Sequence, residues 1–77
     1  MSISYSVASP GARVAVRVFD VRGRLAATLV DENKVPGRYS AAWDGRDATG
    51  RQVAAGVYFV RMEAGEFRAA SKLLVVR

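Results

Sequence analysis

Seventy-seven residues make a single domain near the lower size limit for one core, with a hydrophobic share of 51% and a net charge of +5. The chain has no cysteine and no histidine. That excludes a disulfide framework, a structural zinc site of the usual kind, a thiol nucleophile and the commonest general base.

The apolar pattern has a period of two throughout. Ile3, Tyr5 and Val7 alternate with Ser4 and Ser6, which predicts a first half-buried strand stopped by Ser9-Pro10-Gly11. Val14, Val16 and Val18 alternate with Ala15, Arg17 and Phe19 in the clearest strand of the sequence. Phe19 falls on its nominally outer face and needs cover. Asp20-Val21-Arg22-Gly23-Arg24 is a hairpin signal: the aspartate can accept turn amides, and Gly23 suits a positive φ. The chain is expected to return from Leu25 to Val30, pass a polar loop at Asp31–Lys34, and turn again at Val35-Pro36-Gly37. Tyr39, Ala41 and Trp43 then share one face of a strand from Arg38 to Trp43.

Asp44 to Gly56 reads as loop, with turn signals at Asp44-Gly45 and Ala48-Thr49-Gly50 and a short strand at Gln52–Ala54. Val57–Glu63 is β-branched and aromatic, Ala64-Gly65-Glu66 is a tight hairpin, and Phe67–Val76 closes the domain. No segment carries a helical stripe, and neither a linker nor an internal repeat is visible. Six or seven short strands with frequent turns predict a sandwich or small barrel.

The twelve basic residues, ten of them arginine, are scattered and form no run. A soluble, arginine-rich surface is the expectation, with no nucleic-acid partner. No apolar run approaches the ~20 residues of a membrane span, so membrane insertion is not expected. No charged-then-apolar leader follows Met1, so any signal peptide is expected outside these residues.

Most of the seven carboxylates fall in predicted turns, and so small a sandwich has little room for a catalytic cleft. We therefore expect no enzyme and no cofactor. Asp44 to Arg51 can be read as a calcium loop, but Arg46 sits among the ligands and no bidentate glutamate follows. The favoured reading is structural, with Asp44 and Asp47 bonding loop amides while Gly45 and Gly50 allow the turns. Trp43, Tyr39 and Tyr58 can be read as a sugar platform or as core; the core reading is favoured for Trp43 and less decisively for the tyrosines. Lys72-Leu73-Leu74-Val75-Val76-Arg77 is core if central and a docking site if at an edge, with Lys72 and Arg77 as gatekeepers.

Several blocks together carry a family resemblance. Val14 to Arg24 resembles the strand and hairpin of flagellar hook-capping-protein-like immunoglobulin domains. Pro36-Gly37-Arg38-Tyr39, Trp43-Asp44-Gly45, Asp47-Ala48-Thr49-Gly50 and Gly56-Val57-Tyr58-Phe59 are similar to the family's successive turn-strand blocks. Lys72 to Val76 resembles its basic-then-aliphatic last strand. The resemblance implies an all-β, immunoglobulin-like β-sandwich of about seven short antiparallel strands over residues 1–77. It also implies a module of a larger secreted or cell-surface bacterial protein, whose first partners are upstream domains.

Type IX secretion sorting domains share the two tyrosine blocks and the lysine-led strand. By that likeness Lys72, Leu73, Leu74, Val75 and Val76 would be read by export machinery, with Gly56 and Tyr58 shaping the region. Three functions stay open at this point: an export or surface-attachment module, a scaffold self-associating through an edge strand, and a carbohydrate- or peptide-binding accessory domain.

Overall fold

The computed structural model describes residues 2–76, and the gatekeeper role read for Arg77 lies outside the described residues. Six strands follow in chain order: β1 (Ser2–Val7), β2 (Ala12–Asp20), β3 (Leu25–Lys34), β4 (Gly37–Ala42), β5 (Gly56–Ala64) and β6 (Phe67–Val75). All pairings are antiparallel. β1 pairs with β4 in one sheet, and the other runs β3-β2-β5-β6. Two strands thus face four, an immunoglobulin-like sandwich with one short layer.

The valine alternation places the core. Val14, Val16 and Val18 are wholly buried on β2, between Ala27 of β3 and Tyr58, Val60 and Met62 of β5. Tyr5 and Val7 of β1, Ala41 of β4, and Trp43 just past β4 close the core from the short sheet. β2 is central because its inward positions are all β-branched, and such side chains fill a pleated, fully covered face.

Two local expectations are corrected. The segment Gln52–Ala54 is not a strand: Gln52 makes one isolated bridge to Arg46, and the Val53 N–H donates to the Gly45 carbonyl at 2.9 Å. That bond ties the segment to the Trp43 loop in place of a sheet, so six strands form where about seven were expected. Asp31–Lys34 is not a loop but the second half of β3, in register with Ala12–Ala15. The ladder to β2 holds its backbone while the charged side chains stay at the rim, where Arg13 donates to the Asp31 carboxylate at 2.8 Å and Lys34 meets Glu32 at 2.7 Å.

Candidate functional site

Two sequence-local devices shape the loops beside the sandwich. The first is a five-residue turn that occurs twice. In Asp20–Arg24 the Asp20 carboxylate accepts the Arg22 and Arg24 amides, both at 2.9 Å. The Asp20 N–H donates to the Arg24 carbonyl and Gly23 N–H to the Asp20 carbonyl. In Asp47–Arg51 the Asp47 carboxylate takes the Thr49 and Arg51 amides at 2.9 and 3.1 Å, and the same two backbone bonds recur. Gly23 and Gly50 hold φ of 82° and 86°, the left-handed geometry the turn demands. The pattern Asp-x-x-Gly-Arg is therefore an internal repeat at the scale of a turn, too short to see as a repeat of sequence.

These bonds set the electrostatics of both acids. The Asp20 carboxyl is held below its ordinary pKa, first by the Arg24 amide and then by the Arg22 amide and the Arg24 guanidinium. Asp47 is held down first by the Thr49 hydroxyl at 2.6 Å, then by the amides of Thr49 and Arg51. Asp44 accepts the Arg46 amide at 3.0 Å, and the Arg46 guanidinium donates to the Gly50 carbonyl. The carboxylates of Asp44–Gly50 thus meet amide donors and a cation, the structural arrangement of the two weighed for this loop.

The second device is a tyrosine corner, also used twice. Tyr39 donates its hydroxyl to the carbonyl of Val35 at 2.6 Å, and Tyr58 to that of Ala54 at 2.7 Å, each four residues back. In both, a glycine (Gly37, Gly56) opens the strand two residues before the tyrosine, and Pro36 precedes the first. Tyr58 is 7% exposed and meets the Trp43 ring edge-on at 5.6 Å. Trp43 is 3% exposed, and its indole N–H donates to the Arg46 carbonyl at 2.9 Å. Tyr39 stacks on Tyr5 at 5.5 Å under the Lys34 ammonium. Two of the three aromatics read as a sugar platform are spent on the core.

The remaining candidate is the last strand. β6 pairs with β5 along its full nine residues, from Phe67 opposite Ala64 to Val75 opposite Gly56, without a register shift. Among the described residues its other edge is unpaired. Opposed residues share a face, so Phe67, Ala69, Ser71, Leu73 and Val75 point to the inner side and Arg68, Ala70, Lys72 and Leu74 to the outer. The short sheet stops before β6. Phe67 is 58% exposed even on the inner side, and only Leu73 and Val75 are half-buried against the core. On the outer face Lys72 lies opposite Phe59, which pairs with Phe19, and the Arg61 guanidinium covers the Phe19 ring at 4.8 Å. That is the cover Phe19 requires.

Against the known families, the model of the FlgD Ig-like domain matches residues 1–66, most of the chain. The chain belongs to the FlgD Ig-like domain family. The match takes in β1 to β5 and ends in the β5–β6 turn, so β6 lies past the stretch on which membership rests. FlgD Ig-like domains are a structural, non-enzymatic domain type. Neither a curated protein nor a solved structure matches the chain.

Proposed function

We propose that this FlgD Ig-like domain is a non-catalytic module of a secreted or cell-surface bacterial protein, and that it serves export or surface attachment of its parent through the last strand. The observation that carries this reading is β6 itself: nine residues paired on one side only and exposed over most of their length. An unpaired strand edge offers a row of backbone donors and acceptors, which is what recognition by strand addition uses. Within β6 and just beyond it, Lys72, Leu73, Leu74, Val75 and Val76 would supply the side-chain contacts, with Leu74 60% and Val76 75% exposed. The partners are the upstream domains of the parent and an export machinery of the type IX kind.

The test appends residues 2–77 to a periplasmic reporter in a bacterium with type IX secretion. Export that requires Lys72–Val76 is the expected result. A reporter that stays in the periplasm with or without those residues refutes the sorting role.

A further inference from the structure

The two edges of the four-stranded sheet are built differently. β3, at one edge, meets β2 through two register shifts, between Val16 and Arg17 and between Val18 and Phe19, and carries Asp31, Glu32 and Lys34 along its second half. Bulges and charge blunt an edge against pairing. β6, at the other edge, has no bulge, no proline and no charge on its inner face.

We infer that the partner of this edge includes a second copy of the chain, with β6 pairing antiparallel to β6 about a two-fold axis at Ser71. This rests on the reading of β6 as the working edge, and names what that edge pairs with. The charges exclude three registers, and the length of overlap selects among the rest. An axis at Ala70 sets Arg68 opposite Lys72, an axis at Arg68 sets it opposite itself, and an axis at Lys72 does the same for the lysine; like charges directly opposed are destabilising. An axis at Ser71 opposes Arg68 to Leu74 and Lys72 to Ala70, so no two cations face each other. It also overlaps all nine residues of each strand. On the inner side it brings Phe67 across from Val75 and Ala69 across from Leu73, joining two exposed apolar rows into one.

Among the described residues no strand pairs with this edge, though Ser4–Val7 of β1 and the turn after it line a space beside Phe67 and Ala69. β6 packs substantially on β5 alone, and the short β1–β4 sheet leaves its inner face open. Nine residues a side fall below the ~20–30 of a standard stable interface. The pairing is therefore weak in dilute solution and gains from high local concentration, as when many parent chains share one surface. The outer face sharpens the expectation. Lys72 stands diagonal to both Arg68 and Lys72 of the second copy, a distance that long side chains bridge. Lys72→Glu turns the two Lys72–Arg68 contacts from repulsion to attraction, leaves the contact between the two residues 72 like-charged, and should tighten the pair roughly two- to thirtyfold, less at high salt.

The chain lacks cysteine, so single thiols report the register directly. Under mild oxidation of the purified domain, Ser71→Cys should form disulfide dimers faster than Ala69→Cys or the loop variant Ala48→Cys. A mixture of Ala69→Cys and Leu73→Cys should give the mixed dimer in excess over either homodimer. Sedimentation of Lys72→Glu, which introduces no thiol, should show the tighter association. Equal rates for Ser71→Cys and Ala48→Cys, a preference for the Ala69 homodimer, or no tightening by Lys72→Glu would each overturn the pairing. A reporter that still needs Lys72–Val76 for export, beside a Ser71→Cys domain that does not cross-link, would sink the self-pairing and leave the export reading standing.

Discussion

Trp43 gives the sharpest test of how the short layer closes the core. Trp43→Ala removes an indole that is 3% exposed, packed edge-on to Tyr58 and bonded to the Arg46 carbonyl. Buried Trp→Ala truncations cost about 3–5 kcal/mol. A domain of 77 residues has about 4–12 kcal/mol in total, so the variant loses about a quarter or more of its stability and at the low end unfolds. Trp43→Phe keeps most of the apolar contact but strands the Arg46 carbonyl, for about 1–2 kcal/mol. Urea denaturation followed by far-UV circular dichroism reads both, since neither variant keeps the fluorophore. With m near 1 kcal/mol/M, the alanine midpoint should fall by about 3 M or more and the phenylalanine midpoint by about 1–2 M. An alanine variant within about 1 kcal/mol of the parent would refute Trp43 as the closing residue. So would a phenylalanine variant as damaged as the alanine one, because the indole N–H bond would then outweigh the packing.

Three further outcomes follow from the loops. Gly23→Ala and Gly50→Ala impose the same strain on the same turn, with no atom near either added Cβ, so each should cost about 1–2 kcal/mol by thermal melting and the two should agree closely. Asp20 and Asp47 have lowered pKa values in the folded domain, so their stabilisation is complete above the unfolded carboxylate pKa and is lost as pH falls through the folded values. Melting temperature should therefore drop below about pH 4, and Asp20→Asn with Asp47→Asn should flatten that limb; an unchanged slope counts against the turns as its source. Tyr58→Phe should cost about 1 kcal/mol through its part-buried bond to Ala54, and Tyr39→Phe less, because its bond to Val35 is exposed; the reverse order in denaturant titrations would contradict the two environments.

Much of this fold was legible because its core strands alternate cleanly. Val14, Val16 and Val18 announced β2, and the Asp20–Arg24 hairpin was visible from its aspartate and glycine. The β3 extension was not, because Asp31-Glu32-Asn33-Lys34 has loop composition and forms a strand only through its ladder to β2, a long-range fact. Gln52–Ala54 failed in the other direction: its β-prone valine is held by the Gly45 carbonyl. The twin tyrosine corners were hidden for a simpler reason. Gly-x-Tyr at Gly37 and Gly56 stands out in the sequence only through a family resemblance, while the hydroxyl reaching back four residues supplies its physical cause. For the last strand, the sequence left central and edge positions equally open; only the strand order decides between them.

The mismatch of two strands against four also grades the domain's resistance to opening. β2 is bonded on both sides and buried on its inward face, so its amides should exchange only when the whole domain unfolds. β6 is held on one side, with three of its five inward residues in solvent. It can detach from β5 while Val14, Val16, Val18 and Trp43 stay packed, because none of the buried core residues lies on it. The strand that offers the free edge is thus also the one that can be lifted away at least cost to the rest.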